Sequence, residues 1–445
     1  VLNDYASVGG IEVWNTSRLQ AYLTNIGSPF TTGPEICSCD SLTPAVLGET
    51  FPAYQTPALD PAPWYDVDTP HSAEYLGFLP LSVAGVDDNP RGRSVSNAVG
   101  GGGVFGPVRE LPRTITVTGV IVASTCCGAE YGLHFLSEVL SGCTGNACDG
   151  DCFEMYSCCP DPGMTADQFN ADYRRTFRRT ALVSGPTVVR RQGNGNCSSG
   201  GCSAGGDLIT VEFVLTAATP WAWTDTTELL EVDIPRTPYF DIPCIEWCVL
   251  DPETLTGDCD PNECLFADCD QGDACLDPFH AIPPPPQPTV PLTSFCVPLG
   301  SDQACYEVDL SDRPTWSGDA MMITVRAGSS IQRNIRIKIY AKPVGSLLGC
   351  AEIAEANRCS PVAEFVITYM PLASTLTLDG QVGKALLVCN DTCTLSTYVY
   401  GDDNGGPVRF PELGCATYCV CVESDPEYQG ADDASITFGV SGRGL

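Results

Sequence analysis

The chain has 445 residues, 43% of them hydrophobic and only 17% charged, enough for two or three domains with sizeable cores. Its 55 acidic residues against 22 basic ones give a net charge of −33, which argues against general affinity for nucleic acid or anionic membranes. Twenty-six cysteines exclude a routine cytosolic enzyme, and no run approaches the roughly 18 apolar residues of a membrane helix.

In chain order, the opening VLNDYASVGGIEVWN has neither a basic nor an apolar leader segment, so no signal peptide is expected. Many cysteines without a leader are reconciled by a particle assembled in a cytoplasm and released outside. A short helix is expected at TSRLQAYLTNIG, followed by a Pro-rich stretch, FPAYQTPALDPAPWYDVDTP, wrapped in extended form along other elements. Strands are expected at GFLPLSVAGV, RTITVTGVIVAST, RRTALVSGPTVVR and DLITVEFVLTAA, which are rich in Val, Ile and Thr and bounded by turn residues. Between the second and third lies the one well-patterned helix, AEYGLHFLSEVLSG. Its Tyr131, Phe135, Leu136, Val139 and Leu140 recur at helical spacing, with Phe135, Leu136 and Leu140 expected on the sheet.

Residues 225–280 change character, with fifteen carboxylates against Arg236 alone and six cysteines, and they end in the polyproline linker IPPPPQP. From Val290 onward, short strands return: MMITVRA, IRIKIYAKP, AEFVITYMP, STLTLDG, KALLVCN, TYVYGDD, TYCVCVES and SITFGVSG. Their alternation suggests a β-sandwich of jelly-roll or galectin type. The expected fold class is mainly β, and no internal repeat is evident.

Chemistry is sought first among the cysteines. Cys126, Cys127, Cys143, Cys148, Cys152, Cys158 and Cys159 crowd one stretch, yet no C-x2-C occurs anywhere and the three histidines (His71, His134, His280) form no i,i+4 pair. Disulfides are therefore expected, with zinc or iron–sulfur as lesser alternatives, and adjacent cysteines are expected to bond elsewhere than to each other. The run TGDCDPNECLFADCDQGD offers Asp258, Asp260 and Asn262 to calcium, but Glu263 stands where such a loop needs Gly and Cys269 where it needs Glu. GCSAG (201–205) fits a nucleophile-elbow pattern and GGGVFG (101–106) a phosphate-loop pattern. Neither has the strand–turn–helix context its chemistry requires, so both read as turn glycines. No catalytic residue, metal or cofactor is expected.

Six of the nineteen arginines, Arg174, Arg175, Arg178, Arg179, Arg190 and Arg191, form an island in this acidic chain. A charge-complementary contact with an acidic neighbour, such as another copy, and a plain solvated strand edge are equal readings.

The segment DPAPWYDVDTPHSAEYLGFLPLSVAGVDDNPRGRSV, continuing through GGGGVFGPVRELPRTITVTGVIVAST, the small helix with its Cys-rich exit and DLITVEFVLTAATPWAW, resembles minor tail proteins of actinobacteria-infecting siphophages. Such proteins are similar to distal tail proteins. The resemblance covers 1–225 and implies a tail-tube-like belt domain there, forming a hexameric ring. An acidic Cys-rich insert and linker would span 226–289, and a galectin-like sandwich 290–445. It implies a structural, non-enzymatic virion role at the tail tip. The implied partners are the tail tube, tape-measure and baseplate proteins, with DNA passing through the lumen unbound. An acidic lumen would repel it.

Trp64 and Tyr65 are candidates to clamp a neighbouring copy, with burial of Trp64 in its own subunit an equal alternative. Two rival functions are a carbohydrate-binding receptor module using Trp316, Tyr398 or Tyr400 on host-surface glycan, and a cell-wall hydrolase.

Overall fold

The computed structural model describes residues 2–28, 39–88, 90–141, 151–192, 208–235, 244–248, 294–298, 302–313, 318–402, 404–424 and 432–444. The chain is mainly β, built from large antiparallel sheets with a few short helices. Most of the acidic Cys-rich stretch expected as an insert lies outside the described residues. Cys143, Cys148, Trp316 and the GCSAG loop do as well.

The first half opens with a hairpin of β1 (Leu2–Val8) and β2 (Ile11–Asn15), then α1 (Thr16–Asn25) where a short helix was expected. The Pro-rich stretch that follows is a series of turns that buries Tyr54, Ala62 and Trp64 rather than an extended arm. β3 (Tyr75–Ala84) leads into two small ribbons, β4 (Arg91–Gly92) with β7 (Arg109–Glu110) and β5 (Val95–Asn97) with β6 (Gly103–Phe105). GGGVFG thus closes a hairpin, with Gly101 and Gly102 in the left-handed region at φ 92° and 82°. β8 (Arg113–Ala123), α2 (Cys126–Leu140), β9 (Asp151–Tyr156), α3 (Ala166–Tyr173), β10 (Arg174–Gln192) and β11 (Leu208–Ala217) complete this part.

β10 changes partner along its length. Its first residues pair with β9 and its later ones with β11, and the register shifts between Phe177 and Thr180. Arg179 sits at that shift with φ 55°, an uncommon conformation for a non-glycine residue that lets one strand serve two directions. The sheet therefore runs β2-β1-β9-β10-β11-β8-β3 and curls until its ends meet. Trp14 of β2 lies 5.9 Å from Phe78 of β3 and 6.0 Å from Phe153 of β9. Phe213 and Phe177 extend this aromatic core, each buried ring contributing roughly 1.5–3 kcal/mol.

Helix α2 lies across the curl more closely than its large apolar residues alone predict. A Cβ on Gly128 would meet Glu74 at 2.7 Å, and one on Gly132 would meet the Tyr75 ring at 2.5 Å. These two glycines, one turn apart, let the helix backbone approach the start of β3. Leu136 and Leu140 are buried as expected, with Phe135 half-buried against the same core.

β12 (Ala222–Trp223) pairs on one side with β10 and on the other with the last strand of the chain, so hydrogen bonding continues into the second half. There β13 (Thr227–Asp233) joins that same last strand, and β14 (Cys244–Cys248) pairs with β15 (Ser294–Pro298). The remaining strands are β16 (Asp302–Asp309), β17 (Asp319–Arg326), β18 (Gln332–Ala341), β19 (Ala363–Met370), β20 (Thr375–Asp379), β21 (Lys384–Cys389), β22 (Thr392–Leu395), β23 (Val399–Tyr400), β24 (Thr417–Ser424) and β25 (Ser435–Gly444). They form one sheet ordered β13-β25-β17-β20-β21-β22 and a second ordered β16-β24-β18-β19-β23. Inward residues of both, such as Ile323, Phe438, Ile337 and Val420, share one core, so this half is an antiparallel sandwich. β24 is buried on both faces. Tyr418, Val420 and Val422 face the sandwich core, while Cys419 and Cys421 face Ile353 and Ala354 of α4 (Cys350–Ala356).

Candidate functional site

The first half presents an open four-stranded sheet made of the later part of β10, then β11, β8 and β3. In β8, Ile115, Val117 and Ile121 point into the core while Thr114, Thr116 and Thr118 point the other way. Across the register, Glu212 stands opposite Thr118, whose hydroxyl donates to it at 3.3 Å, and Thr210 and Val214 flank it on the same face, with Thr216 beyond. Thr187, Ser184 and Arg190 continue that face on β10. A protein carrying −33 charges thus offers here a hydroxyl-rich face with little charge of either sign. Among the described residues, no strand pairs with β10 beyond Thr180 on the side away from β11, and β3 pairs only with β8. Both edges expose apolar residues: Val183, Val188 and Val189 on one, Leu81 on the other. Pro186 and Pro80 sit in these two strands, where a missing N–H is tolerated at an edge.

Four of the six island arginines are used within the chain. Arg174 grips Asp225 with two bonds of 2.7 Å, and Arg175 donates to the carbonyls of Asp172 and Arg174. Arg191 pairs with Glu130 of α2. Arg178 reaches into the sandwich, donating to Asp379 at 3.1 Å and to Gln381 at 2.9 Å, while Gln381 donates onward to Ser441. This places Arg174 and Arg178 in intrachain contacts rather than on an outward surface. Their partners are 51 and about 200 residues away in sequence, so no local pattern reveals them. Arg178→Ala is expected to lower stability by about 2–3 kcal/mol, because Asp379 is buried and loses its counter-charge. Chemical denaturation followed by fluorescence checks it; an unchanged midpoint would refute the pairing.

Trp64 is only 3% exposed and donates its indole N–H to the Tyr75 carbonyl at 2.9 Å, so it is a core residue of its own subunit and not a clamp. Tyr65 is half-buried against the same core. Tyr398 is half-buried, edge-on to Tyr369 at 5.5 Å, whereas Tyr400 is 37% exposed. His134 is a surface residue.

Of the clustered cysteines, Cys159 bonds to Cys39 across 120 residues, and Cys126 is also disulfide-bonded. Cys158 is an exposed free thiol, so the expectation that each cysteine of an adjacent pair bonds elsewhere holds for Cys159 and not for Cys158. Two further bonds, Cys305–Cys421 and Cys350–Cys419, staple β16 and α4 to β24. Among the described residues, no group of three or more His, Cys, Asp or Glu is placed to hold a metal.

A buried ionic cluster lies behind the curled sheet, unsuspected from the sequence. Arg18 on α1 is 1% exposed, pairs with Glu12 at 2.9 Å and with Glu49, and stacks under the Tyr54 ring at 4.6 Å. Asn15 caps α1 through the Arg18 N–H and also donates to Glu12 and Tyr54. Burial raises the Glu49 pKa, Arg18 pulls it back down, and Glu12 pushes it up again. Glu12, Arg18 and Glu49 look like ordinary surface polar residues one by one; only their convergence marks them.

No protein-family model matches the sequence, and no curated protein matches it. Among solved structures, it is similar to the SPP1 Dit protein, described as a paradigm of the hub adsorption apparatus in phages infecting Gram-positive hosts. That match has 9% identity over 82% of this chain and 93% of that one, with a TM-score of 0.33. It is also similar to a chain of the phage p2 baseplate in its activated conformation with strontium, at 9% identity over 85% and 92% with a TM-score of 0.35. The calcium form of that baseplate gives 8% over 85% and 92%, with a TM-score of 0.34.

Proposed function

We propose that this chain is an architectural subunit of a siphophage tail tip, of distal-tail-protein type, whose first half closes into a ring joining the tail tube to the baseplate. The observation that carries the reading is the four-stranded sheet with two apolar edges, on β10 and β3, that no described strand pairs. Two different unpaired edges on one sheet suit a head-to-tail contact, which generates a closed ring when the rotation between copies is right. The sequence resemblance across 1–225 supports six copies, and a belt domain there with a galectin-like sandwich at 290–445.

The hydroxyl-rich face between those edges suits a lumen, since it offers DNA one arginine, Arg190, set against Glu212 two residues along the neighbouring strand, and no stacked aromatics to hold bases. Disulfides fit a virion that works outside the cell. The rival glycan reading rests on the exposed Tyr400, and binding of glycan to the purified chain that Tyr400→Ala abolishes would favour it.

The purified chain is expected to form rings of about six copies in negative-stain images, with a matching mass by light scattering. A protein that stays monomeric at tens of micromolar rejects the ring.

A further inference from the structure

We propose that the arm over residues 91–111, standing between β3 and β8, docks onto a second copy of this chain. The proposal rests on the self-assembly reading above and names the element that makes the contact.

The arm's root is fixed. Arg113, 1% exposed, donates to the Pro220 carbonyl at 2.7 Å, to the Gly85 carbonyl at 3.2 Å and to the Val86 carbonyl. Three carbonyls held by one buried guanidinium set the direction in which the chain leaves the sheet. Beyond this clamp nothing is buried from Arg91 to Pro112. The ribbons pair only with themselves, Arg91 opposite Glu110 and Val95 opposite Phe105. A two-stranded ribbon without a hydrophobic partner is marginal in water. This one nevertheless exposes Val95, Val99, Val104, Phe105, Val108 and Leu111, with Phe105 68% exposed. Such a cluster on a pinned stalk marks a surface that is covered in use.

Charge identifies the occupant. The chain carries 55 carboxylates, yet none falls between Asp88 and Glu110, where three arginines do. Arg91 pairs with Glu110 at 3.1 Å, while Arg93 and Arg109 have no ion-pair partner among the described residues. Two copies at −33 repel each other over most of their surfaces. The arm reverses that sign locally and adds apolar contact, so it fits the acidic surface of another copy. A bilayer fits it less well, because the ribbon's outer backbone groups would enter hydrocarbon without hydrogen-bond partners.

The test is sedimentation-velocity titration of the full chain against Val104→Ser/Phe105→Ser and Arg93→Glu/Arg109→Glu, with Val344→Ser/Leu347→Ser as a control on still more exposed apolar residues outside the arm. Each arm variant is expected to weaken self-association at least about tenfold, with circular dichroism and melting unchanged, and the control to leave it intact. Assembly as tight in both arm variants as in the parent overturns the arm proposal and leaves the ring reading standing. A parent that never assembles overturns both. Flotation of the parent with phosphatidylcholine vesicles, lost in Val104→Ser/Phe105→Ser without any change in self-association, overturns it in favour of a membrane.

Discussion

Under native conditions, graded reductant is expected to open Cys39–Cys159 first and the two β24 disulfides last, with loss of those two collapsing the sandwich half. Cys159 is exposed, whereas Cys419 and Cys421 are inaccessible beneath α4 and their partners Cys305 and Cys350 are only half-exposed, so a thiolate attacks the β24 bonds more slowly. The loops closed by Cys305–Cys421 and Cys350–Cys419 span 116 and 69 residues. On chain-entropy grounds each contributes roughly 4 kcal/mol, and the pair less than twice that because the loops are nested. Against a total domain stability of about 5–15 kcal/mol, losing both removes a large share. Mass-resolved thiol labelling gives the order of opening, and calorimetry after complete reduction gives the cost. Early labelling of Cys419, or an unchanged melting temperature in the fully reduced protein, would sink this account.

Much of the sheet framework was legible because burial leaves a period of two. β8 alternates core and open face along its length, and the later strands were marked by the same rhythm. Helix α2 begins three residues earlier than its pattern suggests. Large apolar residues draw the eye to Tyr131 and beyond, while contact with β3 runs along the small seam Gly128, Ala129 and Gly132. Thr125, whose hydroxyl accepts the Gly128 N–H at 3.0 Å, was the available start signal. Helix α3 leaves a weaker trace in the sequence because ADQFNADY buries only Phe169, although its Thr165–Gln168 capping box is a start signal.

The candidate site was less legible, since its content is pairing at long range. Nothing in RRTFRR announces that Arg174 serves Asp225 while Arg178 serves Asp379. Likewise, nothing in the Pro-rich stretch shows that Trp64 turns inward to Tyr75. Open edges are invisible before the sheet order is known, because each strand reads alike whether or not a neighbour covers it.

Replacing Arg18 is expected to be among the most damaging single changes outside the disulfides. Arg18→Met keeps much of the apolar stem, so packing loss is limited, although it removes the guanidinium that lies over the rings of Phe51 and Tyr54. It leaves Glu12, 5% exposed, and Glu49 with no counter-charge, which costs about 3–5 kcal/mol by analogy with other broken buried pairs. The pH dependence separates this cause from a cavity. Burial holds the folded-state Glu49 pKa above its ordinary value, so the folded chain binds that proton more tightly than the unfolded chain does. Stability contributed this way is present at low pH and is lost as pH rises through the folded pKa. Without Arg18 that pKa rises further, so the deficit of Arg18→Met is expected to shrink as pH falls from about 7 to about 5. Adding Glu49→Gln to Arg18→Met is expected to restore part of the loss and to flatten the pH response. Urea denaturation across that range reads both effects. A deficit constant with pH, or a double variant no more stable than Arg18→Met, would mean that lost packing and not the stranded charge destabilises the chain.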